Sequence, residues 1–219
     1  MKKIIVAFAV MLLAASSAMA QRFVYDDNAE KRGISSFHAI ETSAGIQVII
    51  TKGSKEELAV SASEKELIGK VETVVKDGVL KIYRDTDWKF WNNFKDWHIK
   101  VYVSYVKLDG LEASSGASIH GTDVHFDKLS VRQSSGALIE LTGTADALHV
   151  DGSSGSQFNG YDLKTNSCQA DVSSGADIKV NASKEINAKA SSGGSIHYKG
   201  EAALRDMHVS SGGSVKKQN

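Results

Sequence analysis

Ten consecutive residues hold all three tryptophans of the chain: Trp88-Lys89-Phe90-Trp91-Asn92-Asn93-Phe94-Lys95-Asp96-Trp97. Flat rings among amide and charged side chains are surfaces on which a sugar ring or a protein partner packs. Trp88, Trp91 and Trp97 are therefore the candidate ligand contacts. The competing use of the segment is a loop that folds back over part of the core, because an exposed aromatic cluster of this size promotes aggregation unless something occupies it. A second candidate is acidic. Asp151 and Asp171, once brought together, could hold a calcium ion or raise one another's pKa for acid–base work of the kind polysaccharide lyases perform, with Arg132 as nearby base or charge stabiliser.

Other reactive residue types lead nowhere. Ser-Ser-Gly occurs six times, but a serine nucleophile needs a base within hydrogen-bond reach, and no histidine or lysine recurs beside these triplets. A hydroxyl at a bend has a simpler use in satisfying backbone groups. Cys168 is the sole cysteine, so no internal disulfide forms. Nucleophile elbow, phosphate loop and dinucleotide fingerprint are all missing from the sequence. No catalytic residue, metal ligand or cofactor is assigned.

Whether Asp151 meets Asp171 depends on the elements beneath them. The Ser-Ser-Gly glycines are Gly116, Gly136, Gly155, Gly175, Gly193 and Gly212, at spacings of 20, 19, 20, 18 and 19. A period near twenty is too short for helical hairpin repeats and fits one coil of a parallel β-helix. Aligned on the glycine, the third residue after it is Ile119, Ile139, Phe158, Ile178, Ile196 or Val215, always apolar. The fifth before it is Leu111, Val131, Val150, Ala170, Ala188 or Met207. Seven before it, the interior coils carry Leu129, Leu148, Cys168 and Ile186, while the end coils carry Asp109 and Arg205. Polar columns alternate with these, as a strand with one buried and one wet face requires. Cys168 thus falls in an inward column as a small hydrophobe.

The expected fold is all-β: a right-handed parallel β-helix of about 19–20 residues per coil, with a strand-rich, less regular N-terminal part. Glycine supplies the tight corner. Coils about 4.8 Å apart make Asp151 and Asp171 neighbours in an outward column that also holds Glu112, Arg132, Lys189 and His208. With Arg132 beside one carboxylate and Lys189 beside the other, a charge ladder explains that column without a ligand. His120 and His197 share a column but lie four coils, about 19 Å, apart, too far for one metal ion.

Residues 1–20 read as a secretory signal peptide, with Lys2 and Lys3 before an apolar run and Ala18-Met19-Ala20 as a small-x-small cleavage site. The apolar run is too short to remain as a membrane span, and no later segment replaces it. Its removal leaves 24 basic against 26 acidic residues, a balance that argues against nucleic acid as a partner. Residues 21–36 then read as a linker, 37–106 as an N-terminal β region and 107–219 as the repeats. Within the β region, alternating runs surround Asp77-Gly78, a hairpin turn signal, and Ser43-Ala44-Gly45 is a degenerate corner.

Several segments carry a family resemblance: Phe37-His38-Ala39-Ile40-Glu41, then Ser43-Ala44-Gly45-Ile46-Gln47-Val48-Ile49-Ile50-Thr51-Lys52-Gly53, Val75 to Ile82, and Val101-Tyr102-Val103 to Leu108. With the Ser-Gly repeats, about Phe37 to Val215 resembles the autotransporter adhesin head GIN domain family, a domain of unknown function in exported proteins of Bacteroides-like bacteria. The family's proline ahead of the leucine is replaced here by Val106-Lys107 before Leu108. The resemblance implies a parallel β-helix and export, and it brings no catalytic residues.

The expectation is an exported protein of the periplasm, outer-membrane surface or medium. It is non-enzymatic and binds a glycan or an envelope protein. The alternatives are a lyase-like enzyme using Asp151 and Asp171, or a purely structural envelope component. The stack ends at Lys216-Lys217-Gln218-Asn219, whose charges discourage uncontrolled edge pairing while leaving room for a homodimer through the C-terminal end.

Overall fold

The computed structural model describes residues 26, 28–85 and 97–218; residues 1–20, read above as a signal peptide, and Trp88 and Trp91 lie outside them. In chain order the elements are β1 (Glu30–Arg32), β2 (Ala39–Thr42), β3 (Gln47–Lys52), β4 (Glu57–Ala62), the short helix α1 (Lys65–Ile68), β5 (Val71–Lys76), β6 (Val79–Arg84), β7 (Ile99–Tyr105) and β8 (Gly110–Ala113). The coil strands follow: β9 (Ser118–Gln133), β10 (Leu138–Gly152), β11 (Gln157–Val172), β12 (Asp177–Ala190), β13 (Ser195–Lys199), β14 (Ala203–Val209) and β15 (Ser214–Lys217).

From β8 onward every pairing is parallel, and residues one coil apart face each other. Ile139 pairs with Ile119 on one side and Phe158 on the other. Phe158 pairs with Ile178, and Ile178 with Ile196. This column is at most 1% exposed from Ile119 to Ile196, and each such side chain contributes roughly 1.5–3 kcal/mol of burial. The coils are broken into straight runs, three of them in β10, which pairs with β9 over 138–141, 143–145 and 147–152. The tube is therefore a parallel β-helix around one continuous apolar core.

The corners have a specific geometry. In all six triplets the second serine has φ between 46° and 52°, and the glycine has φ between 70° and 76°. The N–H after the glycine donates to the first serine's carbonyl at 2.8–3.1 Å. Two consecutive left-handed residues closed by that bond make a type I′ turn. The ladder is not interrupted there, because the corner glycine N–H from Gly116 to Gly193 donates to the second serine's carbonyl of the next coil, as in Gly116 to Ser135 at 3.0 Å. The expectation that the hydroxyls satisfy broken backbone bonds is thus corrected: Ser115, Ser135, Ser154, Ser174, Ser192 and Ser211 point to solvent.

The polar exceptions at the end coils also resolve. A bulge between Leu204 and Asp206 aligns Leu204, not Arg205, with Ile186, so the apolar column continues to the last coil. Asp109 turns its carboxylate outward to His38 Nδ1 at 2.8 Å.

At the N-terminal end the stack continues through β2 and β3. β2 pairs with β8 and β3 with β9. Their connection, Ser43-Ala44-Gly45, has the same paired positive φ values, 60° and 74°. Beyond that coil, β6 lies on β2 and β7 on β3, again parallel. Residues 85–98 consequently join β6 to β7 in the chain where the other coils have a four-residue connection. The β5–β6 hairpin turns at Asp77-Gly78, β4 packs antiparallel on β7, and β1 antiparallel on β4.

Candidate functional site

Trp97 is the one tryptophan among the described residues, and it is half-buried against the core at the start of β7. Its ring covers the corner glycine of the β2–β3 coil, where a Cβ on Gly45 would lie 3.0 Å from ring atom Cη2. The six Ser-Ser-Gly glycines have nothing comparable within 4 Å. The Arg84 guanidinium, at the end of β6, stacks 4.1 Å from the Trp97 ring centroid. A cation against an aromatic face contributes about 0.5–2 kcal/mol, more as water is excluded, and burial draws this guanidinium's pKa below its ordinary value. Trp97 thus closes the last corner of the tube, and its ring anchors the C-terminal end of the aromatic segment.

Asp151 and Asp171 are neighbours in the register, with Arg132 opposite Asp151 and Lys189 opposite Asp171. The order of charge along the column matches the sequence expectation. Asp171 accepts a hydrogen bond from Gln169 Nε2 at 2.8 Å. Shallow hollows of about 230 and 200 Å³ flank the pair, one reaching Lys189 and His208, the other Glu112 and Arg132. Together they make a trough of mixed sign beside the first serine of five corners, Ser134 to Ser210. Among the described residues no three His, Cys, Asp or Glu side chains gather as a metal site, whereas calcium takes 6–8 oxygen ligands.

The histidines are spread over separate pairs. His120 faces Glu140 at 3.5 Å, and the same carboxylate accepts from Asn159 at 2.8 Å. His197 meets Asp177 at 3.6 Å and Gln218 at 3.0 Å. His125 contacts Thr144 at 2.7 Å. These ladders tie adjacent coils. Cys168 is 3% exposed, and burial pushes its thiol up to about 12, so thiolate chemistry is closed to it at neutral pH.

One concavity was missed by reading the sequence. A groove of about 390 Å³ crosses five coils, floored by Leu148 and Cys168 and edged by His149, Gln169 and Asn187. It exists because the column eight before each glycine holds the small residues Ala147 and Ser167 in the middle of the stack, letting the wall recede. Two small residues between Lys128 and Glu185 were the available signal.

The sequence model of a protein family whose description reads "Putative auto-transporter adhesin, head GIN domain" matches residues 36–202. No curated protein matches the chain. Among solved structures, a "putative adhesin" from Bacteroides fragilis NCTC 9343 is similar at 20% identity and a TM-score of 0.67, over 87% of this chain and 96% of that one. A "putative lipid binding protein" from Parabacteroides distasonis ATCC 8503 is similar at 19% identity and a TM-score of 0.51, over 89% and 98%. A "putative adhesin" from Parabacteroides merdae ATCC 43184 is similar at 16% identity and a TM-score of 0.51, over 87% and 95%. At such identities the likeness is one of fold. No helix among the described residues is long and apolar enough to cross a membrane.

Proposed function

We propose, from the premise that this chain belongs to the auto-transporter adhesin head GIN domain family, that it is an exported, non-enzymatic surface protein that binds a glycan through residues 86–98. The observation that carries the reading is positional. Where the other coils turn in four residues between strands, as 114–117 does between β8 and β9, the β6–β7 connection spends fourteen, rich in tryptophan and phenylalanine, and Trp97 pins its end to Gly45 and Arg84. Trp88 and Trp91 are the contact residues and Trp97 is the anchor. An envelope protein is the other ligand class the same aromatic surface suits. The basic start, apolar run and small-x-small site in residues 1–20 support export.

The two roles separate experimentally. Replacing Trp88 and Trp91 by alanine leaves the melting temperature unchanged and abolishes binding on a glycan array and to envelope extracts. Trp97→Ala removes a half-buried ring and its cation contact and lowers stability by about 2 kcal/mol. Undiminished binding by the Trp88/Trp91 double variant refutes the assignment.

The register that sets Asp151 against Asp171 favours a second reading, a lyase-like enzyme holding calcium. Calcium that neither raises the melting temperature nor supports cleavage of acidic polysaccharide removes it.

A further inference from the structure

The two ends of the tube are finished differently. At the N-terminal end the core is covered by the chain itself: Leu67 and Ile68 of α1, Val71 and Ile99 are all at most 2% exposed. At the other end β14 pairs only with β12, and β15 only with β13, among the described residues. The apolar columns continue into this last coil. Leu204, Met207 and Val209 sit on Ile186, Ala188 and Ala190. Those three are at most 2% exposed, whereas Leu204, Met207 and Val209 are 37%, 51% and 47% exposed. An apolar row along an unpaired strand edge is a template for another strand.

We infer that this terminal coil is a self-association surface, and that two copies join end to end through β14 about a two-fold axis at Met207. Joined about a two-fold axis, the two copies use the same surface, so the contact is isologous and closes at two rather than growing into a filament. The edge is complementary to itself. Asp206 and His208 of one copy lie 3.3 Å apart. With antiparallel β14 strands centred on Met207, this pair faces its own copy in reverse order, Asp206 opposite the partner's His208 and His208 opposite the partner's Asp206. Met207 meets its own copy over the row of Leu204 and Val209. Opposite charges directly across a strand pair stabilise the register. Lys216 and Lys217 hold β15 away from a like-charged copy and direct the pairing to β14. One coil of 19 residues, Gly193 to Gly212, seen end-on approaches the roughly 20–30 residues per side of a specific interface.

Sedimentation equilibrium of the purified chain at micromolar concentration tests this. A dimer is expected, and Met207→Lys, which sets two like charges on the axis, weakens it at least tenfold with an unchanged circular dichroism spectrum. The register is tested by charge exchange: Asp206→Lys and His208→Asp each weaken the dimer, and the double variant restores it. Met207→Cys supplies the sole accessible thiol, since Cys168 is buried. Under mild oxidation it forms a disulfide-linked dimer, whereas Val106→Cys, equally exposed but far from this end, does not. A chain that sediments as a monomer, a dimer indifferent to Met207→Lys, or a double exchange without rescue overturns the inference.

Discussion

Tyr102 and Tyr105 lie on the same strand, and both phenols are pushed up to about 12. For Tyr102 burial is the main cause, reinforced by the hydroxyl's hydrogen bond to the Asp26 carboxylate. For Tyr105, which is 1% exposed and stacked on Phe126 with ring centroids 5.9 Å apart, burial acts alone in that direction. The folded chain holds these protons more tightly than the unfolded chain, whose phenols titrate near 10. Their contribution to stability is therefore complete below pH 10 and is lost as the pH rises from 10 to about 12. The expected outcome is a melting temperature that falls steeply across that window, with Tyr105→Phe flattening part of the fall because it keeps the ring and removes the ionisable proton. A melting temperature level to pH 12 contradicts the assignment. The Asp26 carboxylate, held low chiefly by its hydrogen bond from Tyr102, works at the opposite limit, its stabilisation being lost as pH falls below the usual carboxylate range. Neither tyrosine was singled out by the sequence, since both read as ordinary strand aromatics until β4 and the Asp26 carboxylate came against β7.

At the scale of elements the corners separate conformation from space. Gly155 has φ 70° with nothing within 4 Å of an added Cβ, so Gly155→Ala carries only the left-handed penalty, about 1 kcal/mol. Gly143, at a different bend with φ 130°, would place a Cβ 2.1 Å from the Val124 carbonyl oxygen. Gly143→Ala is expected to cost about 3 kcal/mol, as backbone has to move. Ser154 stands at φ 51°, where asparagine is at ease and serine is not. Ser154→Asn, which makes the Asn-Gly pair preferred in type I′ turns, is expected to raise stability by up to about 1 kcal/mol. Urea unfolding of the three variants checks the order. The period of the triplets was legible, and so was the bend at glycine. That the preceding serine is also left-handed was not, because serine has no marked preference for that region and the stacked ladder imposes it. Likewise the bulge at Arg205 is invisible to fixed-offset alignment, which is why a charged residue seemed to occupy an inward column.

Over the whole molecule, counting periods recovered the coils from Gly116 to Gly212 but understated the tube, because residues 53–109 intervene between its first two coils. In space Val48 lies on Ile119 and Ile40 on Leu111, each at most 2% exposed. The beat is lost in the chain and kept in the stack. The candidate site was legible to the same degree. The aromatic cluster and the Asp151–Asp171 adjacency followed from residue types and register, whereas the seat of Trp97 on Gly45 required knowing that β6 and β7 form a further coil. Stability in a stacked tube is approximately a sum of coil and nearest-neighbour terms, and an end coil has to be covered. A fragment of residues 107–219 keeps every Ser-Ser-Gly corner yet exposes Leu111 and Ile119 along an open edge. It is expected to lose the cooperative thermal transition of the intact chain and to aggregate. A fragment beginning at residue 37 keeps β2, β3 and the closure by β4 to β7, and is expected to melt as one unit. Should the shorter fragment melt cooperatively and stay in solution, the first coil is an accessory to the tube rather than part of its core.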